Sequence, residues 1–205
     1  NINNQGPFIT FGGADLFTLL GEVTRVALKA AWVQKWVINK RLRPEVFALR
    51  AETNRLGKTD YPIDKQLLDN DITKEILNMY GNVLLPAAYP EGSPTHPSYP
   101  AGHAVVAGAC VTVLKAFFDN NFVIKNPKQV NHDGSALEDY NGKLIVAGEL
   151  NKLANNVAIG RNIAGVHYRS DGDFGLLLGE QVAITVLSDL KDMCNEKMNK
   201  WTFYG

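Results

Sequence analysis

The sequence predicts an all-α fold, a bundle of helices, on three observations. Apolar residues recur three and four positions apart over long stretches, which is the spacing of one helix face. Five of the nine prolines fall within residues 84–100, so the chain forms an extended loop there. No convincing alternation of apolar and polar residues predicts a strand. Such a bundle carries its chemistry-bearing residues on loops and helix ends.

The helices are assigned from apolar periodicity and are bounded by helix breakers. The first is the longest, and we expect it to end before Pro44 because proline disfavours helical backbone in the preceding residue. Residues 51–71 are mostly polar and are predicted to be irregular. A polar loop that contains His132 separates the third helix from the fourth. The predicted helices are residues 15–40, 72–80, 102–118, 140–164 and 175–198.

Composition limits the classes of function. The 21 basic and 21 acidic side chains balance, so no overall field attracts nucleic acid or an anionic membrane. The sequence has no apolar run of about 18 residues, and its first residues do not resemble a signal peptide. We therefore expect a soluble protein and leave its compartment open. Cys110 and Cys194 match no metal or redox spacing, and Cys110 is expected to be a buried, inert thiol.

Two segments carry groups that suit a tetrahedral oxyanion. The first runs from Lys35 to Arg43 and places several cations at a helix end, a pattern that is typical of a solvated face. The second ends in Gly102 and His103, after the proline-rich loop. Free N–H groups at a helix start bind anions, glycine allows close approach, and histidine exchanges protons near neutral pH. The alternative is a capped helix start with a surface histidine.

A third segment contains Arg161, His167 and Asp171. Arginine offers a planar pair of donors to an oxyanion. His167 is a candidate nucleophile or metal ligand that Asp171 would orient, although a His and an Asp four residues apart are often an ordinary helix pair. Together, the three segments predict a cage of cations, histidines and one glycine around an anion.

This ordered set resembles the three-part pattern K-x6/7-R-P, P-S-G-H and S-R-x5-H-x3-D. Vanadium haloperoxidases share that pattern with the phosphatidic acid phosphatase type 2 superfamily. Residues 95–100 and 158–167 are similar to the bromoperoxidase branch of red algae and cyanobacteria. The resemblance implies a helical bundle of the vanadium haloperoxidase and acid phosphatase type. It also implies that residues 1–205 are a single catalytic domain, the C-terminal half of a longer family architecture.

The resemblance implies a role for each matching position. His167 matches the histidine that bonds vanadium, and Asp171 lies where it would orient that ring. His103 matches the acid–base histidine. His96 and Trp32 match positions at the halide site. Histidine at the position of His96 is typical of bromide-oxidising members, and His96 is therefore also predicted to be catalytic. The residues matching the vanadate-binding groups are Lys35, Arg43, Ala101, Gly102 and Arg161.

The implied activity is the oxidation of bromide or iodide by hydrogen peroxide, with vanadate as the cofactor. The product is a hypohalous acid equivalent that halogenates organic acceptors. Members of this branch sometimes carry structural calcium, to which the sequence assigns no position. Ala101 replaces a family serine that donates to vanadate, and such a hydrogen bond to a charged group contributes about 1.5–3 kcal/mol. Trp32 stands where red-algal members typically have arginine, so halide preference stays open.

Two alternatives remain. One is a phosphatase on the same scaffold, with His167 as the phosphorylated nucleophile. Seven residues separate Lys35 from Arg43, as in the haloperoxidases, whereas the phosphatases typically have six. The other is a catalytically silent assembly subunit, which Ala101 favours slightly and the retained cage opposes. Because family members have a further N-terminal region, we expect a homo-oligomer or a partnership with that missing half.

Overall fold

The computed structural model of the chain describes residues 11–194. Predictions that fall on residues 1–10 or 195–205, including the end of the last predicted helix, lie outside this range. The all-α prediction is confirmed, because helices account for most of the described residues. The helices are α1 (Gly13–Val33), α2 (Pro44–Arg55), α3 (Lys65–Asp69), α4 (Asp71–Tyr80), α5 (Gly102–Phe117), α6 (Val146–Ile163) and α7 (Arg169–Met193), and a π-helical turn (Gln34–Asn39) continues α1.

Helix α5 lies at the centre of the bundle and packs against α1, α6 and α7. Its apolar face buries Val105 and Val113 against Val23 of α1 and Leu187 of α7. None of the helices in residues 11–194 is both long enough and apolar enough to cross a membrane. Because α5 is central, its N-terminus at Gly102 lies within one end of the bundle and is surrounded by other segments.

The first predicted helix is correct in extent but not in geometry. Regular α-helix stops at Val33, and the next six residues form the π-helical turn, which ends where Lys40 adopts a left-handed backbone with φ of 46°. Periodicity in sequence does not distinguish an α-turn from a π-turn. Short π-helical segments occur often at functional sites, and this one carries Lys35 into the interior.

The prediction of irregular chain over residues 51–71 is wrong in two places. Helix α2 occupies residues 44–55 and α3 occupies residues 65–69. Pro44 stands at the first position of α2, where a missing N–H costs nothing, and so it starts one helix as well as ending the previous one. Helix α2 buries only Pro44, Ala51 and Glu52, and its polar composition therefore concealed it.

A small hairpin was not predicted. Strands β1 (Lys128–Val130) and β2 (Leu137–Asp139) pair antiparallel, with Gln129 opposite Glu138. Their side chains are all exposed, and three residues are too few for an alternating pattern to be recognised. His132 lies exposed in the connecting loop, as expected for a solvated residue.

The last two helices begin elsewhere than predicted. Helix α6 begins at residue 146, six residues later than expected, and α7 begins at residue 169, six residues earlier. The early start of α7 has a local cause, because Oδ2 of Asp171 accepts the backbone N–H of Tyr168 at 3.1 Å and so caps the helix. The predicted start at residue 175 left residues 169–174 outside the helix.

Candidate active site

One cavity of about 530 Å³ brings most of the predicted site residues together. It opens between α1, α5 and α6 and reaches the proline-rich loop and the start of α7. Ala101 and Asp171 do not line it. The predicted residues on its wall are Trp32, Lys35, Arg43, His96, Gly102, His103, Arg161 and His167.

Lys35 lies at the base of the cavity with only 2% of its surface exposed. Its Nζ donates to the carbonyl oxygens of Pro97 at 2.7 Å and of Ser98 at 3.1 Å. Burial and the neighbouring Arg43 lower the pKa of Lys35 to about 8, against the opposing charge of Asp171. Among the described acceptors these two carbonyls take two of the three ammonium hydrogens, so one N–H remains for a ligand.

Arg43 joins three segments of the chain. Its Nε donates to the His96 carbonyl at 2.9 Å, and its Nη1 donates to the Val166 carbonyl at 2.8 Å. The same Nη1 lies 2.9 Å from Nε2 of His167, and Nη2 lies 3.0 Å from Nδ1 of His96. Burial lowers the pKa of Arg43 to about 10. Because a guanidinium only donates, both histidine nitrogens act as acceptors.

His167 is held in one tautomer. Its Nε2 accepts from Arg43, and its Nδ1 therefore carries the proton and donates to Oδ2 of Asp171 at 3.0 Å. Burial lowers the pKa of His167 to about 4, although the hydrogen bond to Asp171 acts in the opposite direction. The ring is therefore neutral near pH 7. Its Nε2 lone pair accepts from Arg43 in this structure, and a metal or phosphorus atom that bonded Nε2 would replace this hydrogen bond.

Asp171 is fully buried behind His167. Its carboxylate accepts from Nδ1 of His167, from the hydroxyl of Ser98, from the Tyr168 N–H and from Nη1 of Arg41 at 2.7 Å. Burial alone would raise the pKa of Asp171, but these hydrogen bonds outweigh it and lower the pKa to about 2. Asp171 is therefore an anion that fixes the orientation of the His167 ring.

Arg41 and Ser98 were not among the predicted site residues. Arg41 lies between the rings of Tyr99 and Tyr168, 5.2 and 5.3 Å from their centroids, while it donates to Asp171. Ser98 is fully buried. In sequence, Arg41 is one of several neighbouring cations and Ser98 lies in the proline-rich loop. Neither residue has a spacing that relates it to Asp171.

The donors that face the cavity are suited to an anion. The first N–H groups of α5 have no acceptor within the helix, and a Cβ added to Gly102 would meet only Leu28, at 3.9 Å. Arg161 donates from Nη1 to the hydroxyl of Tyr89 at 3.1 Å, whereas its buried Nε has no partner among the described residues. An oxyanion in the cavity would accept from the N–H groups at the start of α5.

Two further histidines occupy the wall. Burial, with Arg161 and Lys35 nearby, lowers the pKa of His103, and burial with Lys35 lowers that of His96. Both rings are therefore uncharged near neutral pH. The ring of Trp32 contacts His96 edge to face at a centroid distance of 5.0 Å and stacks on Trp36 at 6.3 Å.

Ala101 is fully buried against Ala104 and Ala158, and its N–H donates to the carbonyl of Asp171 at 2.9 Å. This hydrogen bond connects the start of α5 to the start of α7, outside the cavity. Cys110, expected as a buried thiol, is instead half-buried and lines the cavity, 3.3 Å from the hydroxyl of Thr24. The expectation that Cys110 is buried is therefore wrong.

The acidic stretch of residues 69–71 has a structural role. Asn70 accepts the N–H of Thr73 at 2.9 Å and caps α4. Across residues 11–194, no three His, Cys, Asp or Glu side chains are grouped so as to hold a metal ion.

Residues 16–196 match the family model described as VCPO second helical-bundle domain, and the chain belongs to this family. It is 47% identical over 209 residues to the vanadium-dependent bromoperoxidase of Corallina officinalis, an alignment that covers 92% of this chain and 35% of that protein. With the vanadium-dependent bromoperoxidase of Ascophyllum nodosum it shares 40% identity over 91% of this chain and 36% of that protein.

A solved structure agrees with these relationships. The homohexameric second vanadate-dependent bromoperoxidase of Ascophyllum nodosum superposes with a TM-score of 0.77 at 32% identity, over 90% of this chain and 36% of that one. The chain therefore spans about a third of the length of the relatives that it matches.

Proposed function

We propose that the cavity binds vanadate and that the protein uses it to oxidise bromide or iodide with hydrogen peroxide. The observation that carries the proposal is the neutral His167, which lines a cavity rich in cationic N–H donors and whose Nε2 accepts from one of them, Nη1 of Arg43. A fixed nitrogen ligand and preorganised donors favour an oxyanion that gains a fifth ligand. The relatives named vanadium-dependent bromoperoxidases support vanadate over other oxyanions.

In this proposal Nε2 of His167 would bond vanadium, and Lys35, Arg43 and Arg161 would hold the vanadate oxygens together with the N–H of Gly102. The bound vanadate supplies a Lewis acid that activates hydrogen peroxide toward halide. Asp171 keeps the proton on Nδ1 of His167, so that Nε2 is unprotonated and could exchange its hydrogen bond from Arg43 for a bond to vanadium. Ala101 contributes a backbone contact to Asp171 at the position where the family has a donor to vanadate.

His103 and His96 have different tasks. His103 lines the cavity and is uncharged near neutral pH, so it could accept a proton from hydrogen peroxide and return it to the leaving oxygen. Nδ1 of His96 accepts from Arg43, so its ring proton lies on Nε2 and can be donated to a halide. Trp32, which packs against this ring, completes the halide site.

A phosphatase is the second candidate. The observation in its favour is that phosphate is a tetrahedral oxyanion that the same donors would hold, with Nε2 of His167 as the nucleophile. The spacing from Lys35 to Arg43 and the activities in the names of the relatives favour halide oxidation instead. A silent assembly subunit would bind vanadate without turnover.

The test is bromination of a phenol-type dye by the purified chain with orthovanadate, hydrogen peroxide and bromide. We expect turnover that depends on vanadate, is suppressed by phosphate and is abolished by His167→Ala. His132→Ala is the matched control, because His132 is exposed in the hairpin loop, and it should leave turnover unchanged. If the protein instead hydrolyses a phosphate monoester without vanadate and does not brominate the dye, the phosphatase is the correct function.

We also infer that the bundle is one catalytic domain that assembles into a homo-oligomer. The helices share a core around α5, and the similar Ascophyllum protein is homohexameric. Around the π-helical turn the chain exposes Trp36, Val37 and Ile38, an apolar patch of a kind that commonly marks an interface. Sedimentation equilibrium would contradict this inference if the chain stayed monomeric at all concentrations.

A further inference from the structure

A second cleft, separate from the active-site cavity, lies beside α2. Its volume of about 460 Å³ is within the range of roughly 300–1,000 Å³ that is usual for sites of small organic ligands. Helix α2, the segments that precede and follow it, and the start of α7 form its walls. We call it the arginine cleft, and its walls include Arg41, Phe47, Arg50, Tyr61, Ile63 and Tyr168.

Both arginines of the cleft have unused donors. Arg41 donates from Nη1 to Asp171 at 2.7 Å and to the hydroxyl of Ser170 at 2.8 Å, while its Nε and Nη2 donate to none of the described residues. The guanidinium carbon of Arg50 lies 4.8 Å from the ring centroid of Tyr61. Within the described chain the Arg50 side chain makes no hydrogen bond or ion pair. Because a guanidinium carries several N–H groups in one plane, each arginine can donate to an anion in the cleft.

The charges around the cleft favour a ligand with a single negative charge. The buried carboxylate of Asp171 already balances the charge of Arg41. Arg50 has no acidic partner among the described residues, and none of the acidic side chains described lines the cleft. The cation of Arg50 is therefore uncompensated. A carboxylate supplies one negative charge, and its two oxygens match the paired donors of a guanidinium.

The rest of the wall is apolar or aromatic. Phe47 and Ile63 contribute hydrocarbon surface, and Tyr61 and Tyr168 contribute rings. Aromatic rings favour stacked or edge-to-face contact with another ring. Small-molecule sites commonly combine such walls with a few polar groups that fix the orientation of the ligand. An aromatic skeleton that carries one carboxylate fits both parts of this cleft.

The walls of the cleft are fixed by hydrogen bonds and ring contacts. Oδ1 of Asn54 accepts the N–H of Tyr61 at 2.8 Å, and its Nδ2 donates to the Tyr61 carbonyl at 2.7 Å. Arg41 lies between the rings of Tyr99 and Tyr168, at 5.2 and 5.3 Å from their centroids. A ligand therefore loses little affinity to the ordering of these side chains.

Arg41 connects the cleft to the anion site. Its Nη1 donates to Oδ1 of Asp171, and Oδ2 of Asp171 accepts from Nδ1 of His167 at 3.0 Å. His167 in turn lines the active-site cavity. A carboxylate that pairs with Arg41 adds a negative charge on this path and weakens the neutralisation of Asp171. Because salt screens partly buried charges less than exposed ones, this added charge opposes the binding of an oxyanion at His167.

We propose that the arginine cleft binds a small aromatic carboxylate and that this ligand lowers the affinity of the active-site cavity for its oxyanion. The cleft and the cavity share none of their lining residues. The proposal therefore goes beyond the proposed function and holds for either vanadate or phosphate in the cavity. By thermodynamic linkage, the oxyanion lowers the affinity for the carboxylate by the same factor.

Calorimetry with 2-naphthoate, in a buffer without vanadate or phosphate, tests the site. The uncharged 2-naphthamide has a similar shape, and we expect it to bind about tenfold more weakly or worse. Arg50→Met should weaken 2-naphthoate binding about tenfold as well, because the uncompensated cation is removed. Arg25→Met, at an exposed position on α1, is the matched control and should bind 2-naphthoate normally. Equal affinities of Arg50→Met and the unaltered chain for 2-naphthoate would overturn the proposal.

Phosphate distinguishes the cleft from the cavity. If the two sites are separate and linked, saturating phosphate should raise the dissociation constant of 2-naphthoate about fivefold and then have no further effect. A dissociation constant that rises in proportion to phosphate without a plateau would mean that 2-naphthoate occupies the cavity, which refutes the cleft. A constant that phosphate does not change would refute the coupling between the sites.

The reciprocal measurement uses phosphate as the titrant. Saturating 2-naphthoate should lower the affinity for phosphate about fivefold, by the same linkage. In Arg50→Met, the same concentration of 2-naphthoate should no longer have this effect, whereas in Arg25→Met it should. Neither measurement involves turnover, so a chain that brominates as proposed and does not bind 2-naphthoate would overturn this inference alone.

Discussion

Among the single residues, Asp171 both starts a helix and orients His167. Its carboxylate caps the first turn of α7 and also holds the proton of His167 Nδ1. Arg41 neutralises the carboxylate from the solvent side, with 42% of the arginine side chain exposed. The orientation of the proposed vanadium ligand therefore depends on the same group that starts the helix, and a change there affects stability and binding together.

We expect Asp171→Asn to lower the free energy of unfolding by about 3 kcal/mol, because it leaves buried donors and Arg41 without their anion. It should also weaken binding of phosphate or vanadate at least about tenfold, since His167 would lose its orienting partner. Urea unfolding and calorimetry measure the two effects. Asp173→Asn, two residues along and exposed, is the control, and an equal effect there would refute the assigned role.

Acid should destabilise the folded protein by protonating His167 and, at lower pH, Asp171. The folded protein resists protonation of His167, whose pKa is lowered to about 4, whereas the unfolded chain takes up that proton near 6.5. Stability is therefore lost as the pH falls from about 6.5 toward 4, by about 3 kcal/mol in total. Asp171, with a pKa lowered to about 2, adds a further loss below about 3.9.

The measurement is urea unfolding between pH 8 and pH 4 in a buffer without phosphate or vanadate. His167→Gln should remove most of the loss between pH 6.5 and 4, because the titrating ring is gone. His132→Gln should retain the wild-type slope, since that histidine is exposed. A His167→Gln protein with the full slope would show that another group carries the acid sensitivity.

At the scale of elements, the close approach of α5 and α7 sets the geometry of the site. A methyl group on Gly179 would overlap the carbonyl oxygen of Val105, and one on Gly108 would overlap that of Leu176. The two helices therefore pack backbone to backbone. This contact fixes the start of α5, with its free N–H groups, relative to the start of α7, with Asp171.

Gly179→Ala should therefore cost about 1–3 kcal/mol of stability, because the helices must separate to admit the methyl group. Thermal unfolding followed by circular dichroism measures the loss. Gly21→Ala is the matched control on α1, where nothing lies within 4 Å of the added carbon. Alanine favours helix by about 1 kcal/mol over glycine, so Gly21→Ala should stabilise. Destabilisation of both variants alike would contradict the packing argument.

At the scale of the whole molecule, the anion site depends on the assembled bundle. Its donors come from the π-helical turn, the start of α2, the start of α5 and the end of α6, and no single segment can form it. Because the net charge is zero, the molecule has no overall positive field, and attraction of an anion depends on the cations that line the cavity. Binding an anion should accordingly stabilise the entire fold.

We expect phosphate at about 100 times its dissociation constant to stabilise the chain by about 2.7 kcal/mol, and to raise the melting temperature accordingly. Sodium chloride at equal ionic strength should have little effect. Lys35→Met should abolish the phosphate shift, whereas Lys74→Met, at an exposed position on α4, should retain it. A phosphate shift that survives Lys35→Met would place the anion elsewhere.

Apolar spacing was enough to predict the helical class, and motif order together with the family resemblance predicted the residues from Trp32 to His167 that line the cavity. These features are local, because an apolar face or a glycine before a helix is visible in a few consecutive residues. Helix α2 escaped detection because its buried face is small, and the hairpin because its strands are too short.

Only the tertiary structure decided which side chains meet. The Arg41–Asp171 pair joins residues 130 positions apart, and Ser98 reaches Asp171 across 73. Ala101, which the resemblance predicts to contact vanadate, is buried against Ala104 and Ala158 and does not line the cavity. The proton on Nδ1 of His167 follows from hydrogen bonding to neighbours distant in sequence, and so does the lack of a partner for Nε of Arg161 within residues 11–194.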